Sequence, residues 1–190
     1  MYKIISDSAC DLSQAYIEKN NIDIVPLSVS FDGETYYRDG IDITRNECYK
    51  RMVENPGVYP KTSLPSVEQY ANVFEEYAKT NTPVVCFTIS LIFSGSFNSA
   101  INARELVLED YPDAEIHVID SKQNTVTQAL IIDQMVRMQK ADLPLDLALK
   151  NIEKVIDSAR IFFTVGSLDY LQMGGRIGCL LYTSPSPRDR

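Results

Sequence analysis

The chain has 190 residues, of which 45% are hydrophobic, and its 26 acidic against 18 basic residues give a net charge of -8. This length is enough for one domain with a sizeable core, or for a small domain and part of another. The negative charge repels nucleic acids and anionic membrane surfaces, which argues against a nucleic-acid-binding protein. The single histidine, His117, and cysteines without a CxxC spacing argue against a metal site.

The apolar segments predict a cytoplasmic protein without a transmembrane segment. Residues 1–8 hold only a short apolar run before Asp7, which does not fit a secretory signal. The longest apolar stretch, residues 84–93, is too short to span a bilayer. We expect reduced, mostly packed thiols at all four cysteines: Cys10, Cys48, Cys86 and Cys179.

The first half of the chain predicts strands alternating with helices. We expect a strand over residues 2–5, a helix over 13–20 capped by Asp11 or Ser13, and β-structure over 22–31 that is interrupted at Pro26. Capping-box patterns at Thr44 to Glu47 and Ser66 to Gln69 predict two further helix starts. The second of these helices carries an amphipathic stripe of Val67, Tyr70, Ala71, Phe74, Tyr77 and Ala78.

The second half continues the alternation. The apolar runs predict strands over residues 83–89, 115–119 and 161–165, and the helical patterns cover 96–109, 125–139 and 146–158. Strands that alternate with helices imply an α/β fold with a mainly parallel sheet and flanking helices. Residues 182–190 are a polar Ser/Pro segment, and we interpret residues 179–190 as a non-native tail similar to a translated sequencing adapter. The alternative is a natural disordered tail.

Two hydroxyl-rich segments, residues 61–66 and 90–96, each precede a helical pattern and are interpreted as loops of an anion cradle. A helix N-terminus offers free N–H groups and a partial positive charge, and nearby hydroxyls complete the coordination of a carboxylate or phosphate. The candidate binding residues are Thr62, Ser63, Ser94, Gly95 and Ser96. The alternatives are a helix cap at Ser94 and a simple turn at Thr62 and Ser63.

Polar residues also follow three predicted parallel strands, at Asp7-Ser8, residues 90–96 and Asp120-Ser121. Ligands of α/β sheets gather at the carboxyl ends of the strands, so these three segments should converge on one crevice. Asp7 could instead hold a loop by accepting N–H bonds.

Two competing functions have weaker support. A serine hydrolase needs a base near Ser94, but the sequence has no G-x-S-x-G elbow and His117 alternates as a strand residue would. A phosphate-binding protein would use a signature such as G-x-x-x-x-G-K-[ST], which is not present. Gly174-Gly175-Arg176 is interpreted either as a phosphate loop or as a tight turn.

Several segments together resemble the DegV family, the fatty-acid-binding subunits of bacterial fatty acid kinase systems. The similar segments are ISDSACDL at residues 5–12, VPL at 25–27, YRDG at 37–40, KTSLPS at 61–66, ISLIFSGSF at 89–97, VIDS at 118–121 and LDYLQMGGRI at 168–177. The departures from the family pattern are Leu64 for Gln, Leu91 for Ser and Ser96 for Thr. Thr62 and Ser94 remain in place.

The resemblance implies a carrier rather than an enzyme. Such a protein binds a long-chain fatty acid, needs no cofactor and presents the acid to a separate ATP-dependent kinase that forms an acyl phosphate for phospholipid synthesis, with at most transient membrane contact. Thr62 and Ser94 match the positions that hydrogen-bond the carboxylate. Arg176 matches a position associated with the kinase surface or the domain junction.

The resemblance also implies a domain division. Family members continue through most of a second, lipid-embracing domain. We therefore expect a DegV-like α/β domain over residues 1–158, the start of a truncated second domain over 159–178, and the tail over 179–190. Such a chain would keep the site for the head group and lose much of the pocket for the tail.

Overall fold

The computed structural model describes residues 2–175. The strands are β1 Lys3–Asp7, β2 Asp23–Val25, β3 Ser28–Ser30, β4 Tyr37–Arg38, β5 Lys61–Ser63, β6 Val84–Thr88 and β7 Ile116–Asp120. The helices are α1 Gln14–Lys19, α2 Arg45–Glu54, α3 Val67–Ala78, α4 Ser96–Asp110, α5 Thr125–Lys140, α6 Leu145–Ser158 and α7 Asp169–Met173. The sequence located most of these elements to within a few residues.

The described chain divides into two compact units that are discontinuous in sequence. The first contains residues 2–27 and 64–161, and the second contains residues 28–63 and 162–175. The domain boundary expected after residue 158 stays a prediction.

The first unit is built on a four-stranded sheet in which every pairing is parallel, in the order β2-β1-β6-β7. Ile5 pairs with Cys86, and Cys86 pairs in turn with Val118. Because all strands run the same way, their carboxyl ends lie along one edge of the sheet. The predicted parallel α/β sheet is therefore confirmed.

Helices cover both faces of this sheet. On one face Ile4 and Phe87 belong to a buried cluster with residues of α5 and α6, including Ile132 and Ile152. On the other face Ile5, Val84 and Cys86 pack with residues of α3 and α4 such as Phe74 and Ala100. Neighbouring strand residues point to opposite faces, and because both faces are covered, the central strands β1 and β6 are buried at every position.

Local hydrogen bonds set the starts of the predicted helices. Ser66 forms a capping box, since its hydroxyl accepts the Gln69 N–H at 3.1 Å and its own N–H donates to the Gln69 side chain at 2.8 Å. Thr44 and Glu47 form the same arrangement at α2. Ser13, rather than Asp11, caps α1. These contacts span only three residues, so the sequence is sufficient to predict them.

The second unit contains a three-stranded antiparallel sheet in the order β4-β3-β5. The interruption predicted at Pro26 is confirmed, because β2 ends at Val25 and β3 begins at Ser28 in this other sheet. The Arg51 guanidinium of α2 lies 5.4 Å from the Phe31 ring centroid and 4.9 Å from that of Tyr37. Such cation–π contacts fix α2 against its own unit.

The strand predicted over residues 161–165 is wrong. These residues form no strand, and Phe162 is 92% exposed. An apolar β-branched run becomes a strand only where a neighbouring strand offers backbone partners, and composition does not reveal whether such a partner exists. The short helix α7 follows instead, at Asp169–Met173.

Among residues 2–175, no helix combines the length and the apolar character needed to cross a membrane. Within the same range the three cysteines, Cys10, Cys48 and Cys86, are free thiols. Burial raises the pKa of Cys10 to about 11, so this thiol stays protonated and unreactive at neutral pH. Cys179 lies outside the described residues.

Candidate functional site

The segment between β6 and α4 is tied to the ends of both neighbouring strands. The Ile89 N–H donates to Asp7 Oδ2 at 2.7 Å, and Asp7 ends β1. The Leu91 N–H donates to Asp120 Oδ1 at 3.3 Å, and Asp120 ends β7. The predicted convergence of the three polar segments is therefore confirmed.

A tight turn brings the chain from this segment into α4. The N–H groups of Phe93 and Ser94 both donate to the Ser90 carbonyl, at 2.9 and 3.2 Å. Ser94 Oγ then accepts the Ser96 N–H at 3.2 Å and lies 2.8 Å from Ser96 Oγ. The N-cap residue is Gly95, which has no side chain, so Ser94 precedes the N-cap and is not the helix cap considered from the sequence.

The N-terminus of α4 is suited to an anion. This 15-residue helix has no acidic residue in its first turn, and its N-cap glycine has no side chain to compete for the free N–H groups. The partial positive charge there is therefore not neutralised from within the first turn. Ser94, which is half-buried, places its hydroxyl beside these N–H groups.

At Gly95 the constraint on a side chain is one of space rather than of backbone conformation. Its φ of -78° is open to any residue. A Cβ at this position would lie 3.3 Å from Leu64 Cδ2, so a side chain would push against Leu64. The residue that departs from the family pattern at position 64 therefore lies directly beside the Ser94 turn.

Asp7 holds this edge of the sheet together from inside. It is fully buried, and Gln128 Nε2 donates to its Oδ1 at 2.9 Å and to Ser6 Oγ at 3.1 Å. Burial raises the pKa of Asp7 to about 6, although hydrogen bonds from Ile89, Gln128 and Ala9 lower it in part. Sequence reasoning identified the loop-holding role of Asp7 but missed Gln128, whose only signal is a glutamine among the apolar residues of α5.

Thr62 and Ser63 lie in the second unit, and the structure corrects the loop predicted around them. Both belong to β5, where Thr62 pairs with Val29 and Ser63 with Ser28. The composition of a Thr-Ser segment favours a turn. Here the segment is extended because β3 provides a strand to which it hydrogen-bonds. The side chains of β5 are exposed, and their assignment to a ligand stays a prediction. Arg176 lies outside the described residues.

The arrangement does not favour a serine hydrolase. His117 lies on β7 as expected, and its Nε2 is 2.9 Å from Glu115 Oε1. Ser94 Oγ is instead bonded to Ser96 Oγ. A catalytic serine requires a base within hydrogen-bond reach, and the described histidine is engaged with the glutamate that immediately precedes β7.

Comparison with known proteins gives the same family from sequence and from structure. The chain is 69% identical to a stearic-acid-binding protein from Eubacterium ventriosum, with a TM-score of 0.92 over 95% of this chain and 61% of that one. It is 26% identical to the Streptococcus pneumoniae fatty acid kinase (Fak) B3 protein loaded with linoleic acid, with a TM-score of 0.80 over 96% of this chain and 64% of that one.

Comparison with curated protein sequences indicates the same family. A DegV domain-containing protein of Staphylococcus aureus is 32% identical over 92% of this chain and 60% of its own length, so the chain spans less than two thirds of the relatives it matches. Residues 1–181 match the family described as "Uncharacterised protein, DegV family". The chain therefore belongs to the DegV family.

Proposed function

We propose that this protein binds a long-chain fatty acid, holds its carboxylate with Ser94 and Thr62, and presents it to a separate ATP-dependent kinase that forms an acyl phosphate. The observation that carries the proposal is the 69% identity to a protein that binds stearic acid. The protein itself performs no chemistry on the acid and needs no cofactor. It works in the cytoplasm, where free thiols such as Cys10 and Cys86 stay reduced.

The N-terminus of α4 supports a carboxylate site. Ser94 supplies a hydroxyl, and the first turn of the helix supplies N–H groups with no acidic side chain beside them. Hydrogen bonds to a charged group contribute about 1.5 to 3 kcal/mol each. Ser63, Gly95 and Ser96 belong to the same two hydroxyl-rich segments and are proposed to complete the carboxylate site. Gly95 leaves space beside the turn.

Affinity and orientation come from different parts of the ligand. A chain of about 15 methylenes, at about 0.8 kcal/mol each, offers on the order of 12 kcal/mol before the cost of ordering. The tail therefore supplies most of the affinity, while the hydroxyls set the position of the head group and compensate for its desolvation. Neutral donors also suit a carrier whose ligand changes from a carboxylate to an acyl phosphate, because a buried arginine would hold either anion too tightly.

The kinase partner is proposed from the family resemblance and from the name of the Streptococcus pneumoniae relative, a fatty acid kinase B3 protein. Arg176 is proposed to contact that kinase or the domain junction. The test is acyl phosphate formation with the kinase of the same organism and ATP. We expect Arg176→Ala to lower turnover while fatty acid binding is retained.

Fatty acid binding is tested on the protein expressed from its full-length gene, by native mass spectrometry and lipid extraction. We expect one co-purified fatty acid per chain. Ser94→Ala and Thr62→Ala should each weaken stearic acid binding by about tenfold or more, since each removes one hydrogen bond to a charge. Ser158→Ala is the matched control, because its exposed hydroxyl bonds only locally, to the Val155 carbonyl at 2.9 Å.

The outcomes separate the competing functions. A wild-type protein that takes up no stearic acid but binds a small phosphorylated metabolite would replace the proposal with a phosphometabolite-binding domain. Ester hydrolysis that disappears in Ser94→Ala but survives in Thr62→Ala would indicate a hydrolase.

A further inference from the structure

The Ser94 turn closes on Ser90, and the residue before Ser90 is fixed by Asp7. The Ser90 carbonyl accepts the N–H groups of Phe93 and Ser94, at 2.9 and 3.2 Å. The Ile89 N–H donates to Asp7 Oδ2 at 2.7 Å. Because a planar peptide bond joins Ile89 to Ser90, a displacement of the Ile89 backbone also displaces the residue on which the turn closes.

Asp120 holds the same segment from the other neighbouring strand, but by a longer bond. The Leu91 N–H donates to its Oδ1 at 3.3 Å, and Asp120 is half-buried. This distance lies beyond the usual range for such bonds, and water can reach the donor if the carboxylate is removed. Asp7 is fully buried and accepts at 2.7 Å, so the anchoring of the segment depends mainly on Asp7.

Gln128 holds the Asp7 carboxylate in the orientation that faces Ile89. Its Nε2 donates to Asp7 Oδ1 at 2.9 Å and to Ser6 Oγ at 3.1 Å, and all three of these side chains are fully buried. Within residues 2–175 the Oε1 atom of Gln128 has no hydrogen-bond partner. An unpaired buried oxygen costs free energy that an apolar side chain of similar size would avoid, and the bonds from Nε2 offset this cost.

We infer that Asp7 and Gln128 are positioning residues of the carboxylate site, which fix the location of the Ser94 turn without touching the ligand. Without Asp7 the Ile89 N–H would lack an acceptor, and the segment would move until this group meets another acceptor or water. The Ser94 hydroxyl would then be misaligned with the ligand carboxylate, and hydrogen bonds weaken steeply with misalignment. The inference rests on the proposed function and adds two residues to its site.

The test compares stearic acid dissociation constants of variants of the protein expressed from its full-length gene. At about pH 8 both the ligand and Asp7, whose pKa is about 6, are ionised. Asp7→Ala removes both acceptor oxygens, and we expect affinity to fall about tenfold, as for one buried donor left unpaired. Asp7→Asn keeps an oxygen for the Ile89 N–H, and its NH₂ group can donate to Gln128 once that amide has turned. Its affinity should therefore lie within about threefold of wild type.

Gln128→Leu tests the second positioning residue, and it keeps the inference testable if Asp7→Ala does not fold. It preserves the size of the side chain and removes the donor to Asp7, so we expect affinity to fall about threefold to fivefold. Asp133→Ala is the matched control, because this aspartate also accepts a bond from another element, the Tyr16 hydroxyl of α1 at 2.6 Å. It should lower stability and leave affinity unchanged, and thermal unfolding of every variant shows which of them fold.

A double variant distinguishes positioning from a general loss of stability. In a Ser94→Ala background there is no hydroxyl left to misplace, so Asp7→Ala should lower affinity by a smaller factor than it does in wild type. A merely structural effect of Asp7→Ala would lower affinity by the same factor in both backgrounds.

The outcomes separate the inference from the proposed function. If wild type binds stearic acid and the folded Asp7 and Gln128 variants bind it equally well, the positioning role is refuted and the proposed function stands. The role is also refuted if Asp7→Asn loses as much affinity as Asp7→Ala, or if the loss is the same with and without Ser94. If wild type itself does not bind, the proposed function fails and the inference fails with it.

Discussion

The buried carboxyl of Asp7 makes the stability of this protein depend on pH in an unusual direction. Its pKa is raised from the ordinary 3.8 to about 6, mainly by burial. The folded state therefore binds this proton more tightly than the unfolded state. Between pH 4 and 6 the unfolded state loses the proton first, so the contribution of Asp7 to stability falls as the pH rises and is fully lost above about pH 6.

The size of this effect on the free energy of unfolding follows from the change in the pKa of Asp7. A change of about two pKa units corresponds to about 3 kcal/mol of unfolding free energy. Asp7→Asn removes the titration, although it also removes an acceptor for the Ile89 or Gln128 donor and so carries a constant cost. The free energy of unfolding of the variant relative to wild type should thus rise by about 2 kcal/mol between pH 4 and pH 7, because part of the total effect is already lost at pH 4.

Urea unfolding of wild type and Asp7→Asn at a series of pH values measures this difference directly. The other carboxyls titrate in both proteins, so they cancel. Asp32→Asn is an informative control, because backbone N–H groups of Thr35 and Glu34 lower the pKa of Asp32 and the relative stability of that variant should fall as the pH rises. If the difference in unfolding free energy between Asp7→Asn and wild type stays constant from pH 4 to 7, the reasoning is refuted.

Three further predictions concern stability and the hydrolase alternative. Phe74→Ala should lower the free energy of unfolding by about 3 to 5 kcal/mol, because it empties a fully buried site between α3 and the sheet. Chemical denaturation measures this loss, and a loss below 1 kcal/mol would indicate that the core collapses around the cavity. Ser66→Ala should cost about 1 kcal/mol through loss of the α3 capping box, with Ser66→Thr as the control that keeps a capping hydroxyl. His117→Ala should leave stearic acid binding unchanged, since the ring engages Glu115; a large loss of affinity in titration would place His117 in the site.

The local parts of the site were accessible to sequence reasoning. Asp7 and Asp120 end parallel strands, and the chain order of the strands implies that their carboxyl ends share an edge. The turn at Ser94 precedes a strongly helical pattern, so its position before the N-terminus of α4 was also predictable. These features depend on contacts between near neighbours or on the regular geometry of a parallel sheet.

The partners across the fold were not accessible in the same way. Gln128 reaches Asp7 across 121 residues of sequence, and Tyr70 joins one buried cluster with Ala100 because α3 packs on α4. The amphipathic stripe of α3 predicts that Tyr70 is buried, but periodicity does not state which helix it packs against. Only the packing of one helix on another decides that.

The sequence by itself determined the helix starts at Thr44 and Ser66, the apolar strands of the parallel sheet and the family, because caps, periodicity and motifs are written in consecutive residues. Tertiary structure decided that residues 61–63 are a strand, that residues 161–165 are not, and that residues 28–63 form a unit with residues 162–175. The reason is that a strand exists only through hydrogen bonds to another segment, and the location of that segment is a property of the whole fold.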